Sequence, residues 1–296
     1  MSFLVSAVLI STFSFAQTSN EDDLDKLLNE PDAKKEYVRN AFKSTRVINS
    51  QSMEMLGEGV LDSRILHRFG MVKDGWREFF GLDQASMRIG FDYGVSKNFM
   101  LGIGRSTFNK EVDGFVKYRI AHQHKGLKPI PFSLLWVSGM TMNTTKPTDA
   151  VLKTFPNRLG FFNQIIIGRK FNEKFAAQLS PTFVHRNIVN LPTDKNDMVA
   201  IGIGIRLKLS NRMALILDAH PIIYGATKNT NQMPLSIGVD IETGGHVFQL
   251  HFSNSRGMNE KAFIAETTQQ WQKGEFNFGF NLSRVFTVKK NTSTSW

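Results

Sequence analysis

Residues 198–209 carry the feature that most restricts the fold, a strict alternation of large apolar side chains with small or charged ones. The apolar set is Val199, Ile201, Ile203, Ile205, Leu207 and Leu209, and the intervening set is Ala200, Gly202, Gly204, Arg206 and Lys208. Side chains of a β-strand point alternately to opposite faces, so this run has one wholly apolar face. A helix would mix the two sets around its circumference, and the pattern therefore predicts a strand.

The same alternation recurs at 87–93, 235–242 and 276–283, and it divides the chain into about twelve candidate strands. They are residues 59–69, 85–95, 99–107, 114–122, 131–142, 160–170, 175–187, 197–209, 213–222, 234–243, 246–255 and 274–287. Short connections at 96–98, 172–174, 210–212 and 244–245 alternate with long ones at 70–84, 143–159, 188–196, 223–233 and 256–273. Outer-membrane barrels have short periplasmic turns and long outer loops, so the pattern predicts an all-β, closed antiparallel transmembrane β-barrel.

The composition of the two faces indicates that the apolar face points outward. The other face is mostly Gly, Ser, Ala and Asn with a few charges, which suits a narrow wet lumen, whereas a soluble barrel would show many Lys and Glu there. Closure of the barrel pairs every strand edge, as the hydrocarbon of a membrane requires. Phe99, Phe171 and Phe175 flank short turns and predict an aromatic belt at the membrane interface.

The rest of the chain predicts export and a short segment before the barrel. Residues 1–16 form an apolar run that ends in Ser14-Phe15-Ala16, typical of a signal peptide, although no Lys or Arg precedes the run. We expect a polar periplasmic segment at 17–43, the barrel at 44–288 and a tail at 289–296. Segment 44–52 is either a further strand or a plug inside the lumen.

Composition narrows the classes of function. The chain has 296 residues and no Cys, which excludes a disulfide scaffold and thiolate metal sites. Its net charge of +10 accompanies 25 Phe and only 4 Tyr, a balance that does not fit a nucleic-acid-binding protein. After the signal sequence no run of apolar residues is long enough for a transmembrane helix.

Charged residues on the polar faces are the candidate lumen-lining site. They are Arg88, Asp92, Lys117, Arg119, Arg206, Lys208, Asp218, Asp240 and Glu242. Two interpretations stay open, an ion-pair network that fills a small barrel and a charged constriction. Because the cations outnumber the acids, and Lys117 and Arg119 have no acid placed opposite them, a conducting barrel is expected to favour anions weakly.

Other motifs have weaker chemical interpretations. His251-Phe252-Ser253-Asn254 resembles the His-x-Ser-Asn element of outer-membrane acyl hydrolases, but His251 and Ser253 are predicted to face the lumen without an orienting carboxylate. His122 and His124 have no third metal ligand in sight, so no metal is predicted. Gly102-x-Gly104 and Gly202-x-Gly204 lack the third Gly and the helix of a dinucleotide fingerprint, so no cofactor is predicted either.

Several short segments resemble a known family, the Bacteroidota outer-membrane barrels grouped as domain-of-unknown-function family 5777. The segments are Phe42 to Ser50, Gly81-Leu82-Asp83, Met87 to Gly94, Gly102 to Ser106, Asp113 to Tyr118 and Gly279 to Phe286. The resemblance covers roughly residues 40–288 and implies a barrel in the outer membrane of a Gram-negative bacterium. It implies no activity.

Three functions follow from these patterns, in order of preference. The first is a narrow, porin-like channel or uptake pore for a small polar solute, anionic by the lumen inventory. The second is a closed barrel that acts as a binding or assembly partner through its loops, and the third is a lipid acyl hydrolase. The chain is thus expected not to be an enzyme, to contact outer-membrane lipid and lipopolysaccharide, and to bind no nucleic acid.

Overall fold

A computed structural model describes residues 34–146, 154–189, 191–227, 231–244 and 246–289. The predicted signal peptide, the first part of the periplasmic segment (17–33) and residues 290–296 of the predicted tail lie outside the described residues.

Twelve antiparallel strands close into one barrel, as the alternation predicts. They are β1 Val60–Met71, β2 Ala85–Gly94, β3 Phe99–Ser106, β4 Glu111–Ala121, β5 Ser133–Asn143, β6 Leu159–Lys170, β7 Phe175–Arg186, β8 Asp197–Lys208, β9 Met213–Ala219, β10 Leu235–Thr243, β11 His246–Ser253 and β12 Asn277–Thr287. Each strand pairs with the next, and β12 pairs with β1 to close the ring. A short additional strand, Ile222–Tyr224, pairs with β8 beyond the end of β9.

The register between β10 and β11 is the one that a two-residue Gly-Gly turn dictates. Thr243 lies opposite His246, Asp240 opposite Gln249, and Gly238 opposite His251. Gly244 has a φ of 53°, the left-handed conformation that such turns need. Asp240 is buried on the lumen side, the face on which the alternation of 235–242 places it.

The connections at the two ends of the barrel differ in length, with two exceptions. The end that carries the start of β1 and the finish of β12, here called the short-turn end, has short connections at 95–98, 171–174, 209–212 and 244–245. Its fifth connection, 122–132, is longer, and the tight turn 107–110 lies at the opposite, long-loop end. Within 122–132, the pair His124–Lys125 forms a two-residue strand with Glu36–Tyr37, which holds the N-terminal segment at the short-turn end.

A segment of the N-terminal region fills the lumen. Residues 41–56, here called the plug, are largely buried, and Val47 and Ile48 are 1% and 0% exposed. Of the two structures that the sequence left open for 44–52, the plug is the observed one. The buried interior begins at Ala41 and Phe42, which lie within the predicted periplasmic segment.

The long-loop end is closed from the other side. Connection 254–276 folds back over the lumen and contains a short helix, α1 Glu260–Ala265, whose Asn259 side chain accepts a hydrogen bond from the Ala262 N–H. Phe263 and Ile264 of α1 are fully buried. Part of what the sequence predicted to be an outer loop is therefore interior structure.

Large apolar residues on the inner face of the wall are concentrated on one side, which the sequence analysis did not predict. Strands β1–β3 and β10–β12 present mainly polar and small residues inward, as expected. Strands β4–β9 present polar and charged residues inward, such as Lys117, Gln178 and Arg206, together with apolar ones that form one buried cluster with residues of the plug and α1. The apolar ones include Phe115, Leu135, Val137, Phe162, Ile166, Val184, Met198 and Ile216.

The outward side chains are mainly apolar around the barrel, as predicted. Large exposed examples are Phe91, Ile103, Trp136, Ile167, Leu179, Ile237 and Phe252. Among the described residues, no helix has the length and apolar character needed to cross a membrane.

Candidate functional site: the plugged lumen

The structure places all nine predicted lumen-lining charges on the inner side of the wall. Six are buried, namely Arg88, Asp92, Lys117, Arg206, Asp218 and Asp240, and Arg119, Lys208 and Glu242 are partly exposed near the short-turn end. Several of them contact the plug, so the interpretation as a packed polar network describes the lumen better than a ring around an open constriction.

Asp218 on β9 is the main anchor of the plug. Its Oδ2 accepts hydrogen bonds from the backbone N–H groups of Ile48, Asn49 and Ser50, at 3.2, 2.8 and 3.0 Å. Its Oδ1 accepts from the Ser50 hydroxyl at 2.9 Å and lies 2.8 Å from His220 Nε2. Successive backbone N–H groups that converge on one carboxylate form an anion-binding nest, here occupied by a side chain of the wall.

Amide side chains of the wall bind other backbone groups of the plug. Gln249 donates to the Val47 carbonyl at 2.6 Å, and Asn281 donates to the Ile48 carbonyl at 3.0 Å. On the opposite wall, Gln178 accepts from the Met53 N–H at 2.8 Å and donates to the Gln51 carbonyl at 2.8 Å. These contacts satisfy backbone groups that would otherwise be buried without partners.

A buried ion pair joins the plug to helix α1. Arg46 of the plug donates from Nη1 to Glu260 of α1 at 3.0 Å, and the side chains are 1% and 2% exposed. The same nitrogen donates to the Asn49 carbonyl at 2.7 Å. This ion pair therefore connects the plug with connection 254–276 inside the barrel.

Lys117, predicted to be part of an uncompensated cation cluster, has partners in the plug. Its ammonium donates to the Glu54 carbonyl at 2.7 Å and to the Thr45 carbonyl at 3.4 Å. The Thr45 hydroxyl donates to Asp92 at 3.1 Å and accepts from Arg64 at 2.7 Å. No acid lies opposite Lys117 on the next strand, and carbonyl groups of the plug bind its ammonium instead.

Arg88 fills lumen space above two glycines of the wall. It forms a two-pronged ion pair with Asp113, with distances of 2.8 and 2.5 Å. A Cβ atom at Gly104 would lie 2.3 Å from the Arg88 guanidinium, which explains why glycine occupies that position. The glycine at this position therefore makes room for a buried side chain of the lumen.

The His251–Ser253 element lies in the lumen wall, and the two side chains are 1% and 0% exposed. The Ser253 hydroxyl bonds to the Ser236 hydroxyl at 2.8 Å and to the Ser255 carbonyl at 3.4 Å. Neither ring nitrogen of His251 has a hydrogen-bond partner among the described residues. The geometry therefore brings no base to the serine, and a lipid substrate in the membrane cannot reach either residue.

His122 and His124 lie in connection 122–132 and pack around Tyr37, with which His122 stacks at 4.9 Å between ring centroids. His122 Nε2 lies 2.8 Å from the Val38 carbonyl, to which it donates. The described residues contain no group of three or more His, Asp or Glu side chains arranged to hold a metal. These histidines attach the N-terminal segment to the barrel.

Sequence patterns missed the partners on the plug side. Arg46, Glu54 and Glu260 lie outside the alternating strands, so no periodicity marked them as interior. Arg64 and Arg68 do lie on the inner face of β1, and alternation along 60–71 would have found them.

Comparison with known proteins identifies the family. A model of the family described as a membrane bound beta barrel domain (DUF5777) matches residues 42–286. The chain belongs to this family. The match begins within the plug, so the plug is part of the family domain together with the membrane barrel. No curated protein sequence matches the chain.

Three solved structures with a similar course of the chain have low sequence identity to it. The NanC porin has a TM-score of 0.49 with 7% identity and covers 76% of this chain and 98% of its own. OmpF of Salmonella typhi in complex with daunomycin has a TM-score of 0.35 with 7% identity, covering 77% and 97%. The CymD monoaromatic hydrocarbon channel has a TM-score of 0.29 with 8% identity, covering 78% and 88%. At these scores, function has to be argued from the geometry of the chain itself.

Proposed function

We propose that this protein is an outer-membrane channel for a small polar solute, held closed by its own plug until the plug is displaced. The observation that carries the proposal is the position of residues 41–56 inside the lumen, continuous with a segment that leaves at the short-turn end. The membrane-bound barrel of the family supports the location, and an outer membrane is where closed β-barrels of this kind span. We also propose that the protein comes from a Gram-negative bacterium of the Bacteroidota.

The nature of the contacts supports a plug that can move. One side of the plug donates hydrogen bonds to Asp218 and accepts them from Gln249 and Asn281, and water can replace such bonds at small net cost. The lumen freed by the plug would expose Lys117, Arg119 and Arg88 with only part of their charge balanced by acids. A displaced plug would therefore leave a passage that weakly favours anions.

A reversible tether between plug and wall tests the proposal. A Cβ atom built on Gly168 of β6 would lie 3.2 Å from the Met53 Cβ, close to the separation of a disulfide. The chain has no Cys of its own, so Met53→Cys with Gly168→Cys forms one defined bond. Single-channel conductance in planar bilayers is measured for the wild type, for the double variant before and after reduction, and for Met53→Cys alone.

We expect conductance steps from the wild type and Met53→Cys, none from the oxidised double variant, and their return after reduction. Equal conductance of the oxidised and reduced forms, with the disulfide verified by mass, would show that the plug is not the gate. If neither the wild type nor Asp218→Asn, in which the plug is bound less tightly, conducts, the result favours a closed barrel. In any conducting form, Lys117→Glu with Arg119→Glu should shift the reversal potential toward cations.

The second candidate function is a permanently closed barrel that acts through its ends as a binding or assembly partner. The apolar side chains of the lumen favour it, because displacement of the plug exposes residues such as Phe115, Phe162 and Ile166 to water. Exposure of apolar surface costs about 25 cal/mol per Å². The disulfide experiment separates the two candidates, since only the gated channel conducts in its reduced form.

A further inference from the structure

A small pocket opens at the short-turn end, between the segment that enters the lumen and the wall. Asn40 and Lys43 line it from the entering segment. Lys170 of β6, Arg206 and Lys208 of β8, and Asn211 in the following turn line it from the wall, with Glu173 at the rim. Its volume is about 120 Å³, room for a few groups of the size of water.

Two of the four cations in the pocket already have acidic partners. Lys43 Nζ lies 3.0 Å from Glu242, and Lys170 Nζ lies 2.8 Å from Glu173. Lys208 has no side-chain hydrogen bond or ion pair among the described residues, and it is partly exposed at the mouth. The lining therefore holds more positive charge than its own acid balances.

Arg206 is the unusual member. It is only 6% exposed, yet no hydrogen bond or ion pair to its guanidinium is found in the part of the chain that the structure describes, and its Nε is buried without a partner. Asp240 and Glu242 on β10 and Glu54 of the plug lie near enough to reduce the local potential, but none of them pairs with it. A buried cation without a partner is costly, which points to a missing anion.

We propose that this pocket binds a tetrahedral oxyanion of the phosphate class, with Arg206 as its main ligand. The planar fork of a guanidinium matches two oxygens of a phosphate, and an ammonium supplies a point charge beside it. Lys208 is that ammonium, and the side-chain amides of Asn40 and Asn211 are neutral donors in the same lining.

Because the lining comes from both the entering segment and the wall, a bound oxyanion connects the two. The site lies where the chain enters the lumen. A bound oxyanion would hold Asn40 and Lys43 of the entering segment against Lys170 and Arg206 of the wall. The binding site itself does not depend on whether the barrel conducts, so it is tested separately from the proposed function.

The test is calorimetric titration of inorganic phosphate into the purified full-length protein in a zwitterionic detergent, with sodium chloride as the reference salt. Variants Arg206→Gln and Lys208→Gln are compared with Arg212→Gln, an exposed cation in the same turn that does not line the pocket. Thermal unfolding with and without phosphate gives a second measurement. A further titration uses nanodiscs of phosphatidylcholine with and without phosphatidylglycerol.

We expect saturable phosphate binding to the wild type and Arg212→Gln, weakened about tenfold or more in Arg206→Gln and less in Lys208→Gln. Phosphate should raise the unfolding temperature of the wild type but not of Arg206→Gln, which itself should fold normally because it loses no partner. Loss of phosphate binding only in phosphatidylglycerol discs would identify a lipid headgroup as the occupant of the same site. No binding by the wild type, or equal binding by Arg206→Gln, would overturn the proposal.

Discussion

Asp218 offers the sharpest perturbation of the plug. Asp218→Asn keeps the shape of the side chain but removes the negative charge that faces the N–H groups of Ile48, Asn49 and Ser50. The amide keeps one acceptor oxygen, while its NH₂ group replaces the second acceptor with a donor. The variant is therefore expected to loosen the plug at 48–50 while the strands of the barrel stay paired.

The size of the effect follows from the contacts. Four hydrogen bonds run from the plug to this carboxylate, three from backbone N–H groups and one from the Ser50 hydroxyl. A hydrogen bond to a charged group contributes about 1.5–3 kcal/mol and a neutral one about 1 kcal/mol, so each contact loses on the order of 1 kcal/mol. The acceptor oxygen that the amide keeps can still bind the Ser50 hydroxyl, so the loss at the three backbone contacts is about 3 kcal/mol in all, which corresponds to a plug that opens about a hundredfold more often.

Amide hydrogen exchange measures that opening directly. The protein is studied in detergent, and exchange of the amides of Ile48, Asn49 and Ser50 is followed by mass spectrometry of the plug peptide. The matched control is Asp113→Asn, which removes an equally buried lumen carboxylate that binds Arg88 and does not contact the plug. Protection should fall about a hundredfold in Asp218→Asn and stay near the wild-type value in Asp113→Asn.

Unchanged protection of the plug amides in Asp218→Asn would refute the idea that this carboxylate anchors the plug. Equal loss of protection in both variants would mean that lumen charge in general, rather than the specific contacts of Asp218, determines the stability of the plug.

Four further predictions concern the membrane face, the lumen packing, pH and catalysis. Ile203→Arg, on the lipid face of β8, should reduce stability in the membrane by about 2–4 kcal/mol, measured by urea titration in lipid vesicles against Ile203→Val. Gly204→Ser should cost about 1–3 kcal/mol in the same assay, because a Cβ there would lie 2.8 Å from Gln178 Cγ and 3.0 Å from Val47 Cγ2; wild-type stability would contradict this. Burial, with Arg119 nearby, lowers the pKa of His122 to about 4 from its ordinary 6.5, so between these pH values the unfolded chain binds a proton that the folded chain does not. Attachment of the N-terminal segment at Val38 should therefore be complete above pH 6.5 and weaken as the pH falls toward 4. Hydrogen exchange of the Val38 amide would show this, and a His122→Asn variant should lose the pH dependence. Ser253→Ala should leave any phospholipid or lipopolysaccharide hydrolysis unchanged, and a genuine loss of acyl hydrolase activity would reverse the non-enzymatic interpretation.

The lumen interior could be predicted only in part. The alternation along β8, β9 and β10 places Arg206, Asp218 and Asp240 inward, because strand geometry alone fixes the side to which each residue points. The inward apolar residues of β4–β9 were missed because each of them lies next to an outward apolar residue, so the alternation gives no contrast at those positions. Phe115, Leu135 and Phe162 are examples.

The sequence by itself determined the strands, their register at the Gly-Gly turn and the lipid-facing side, since each is set by residues within a few positions of one another. Only the tertiary structure decided that 41–56 is a plug and what holds it. Ser50 binds Asp218 and Ile48 binds Asn281 across separations of 168 and 233 residues, which no local pattern encodes. Closure of the ring by β12 and β1 brings these distant side chains around the plug. The buried backbone of the plug then forms hydrogen bonds with the wall residues that surround it.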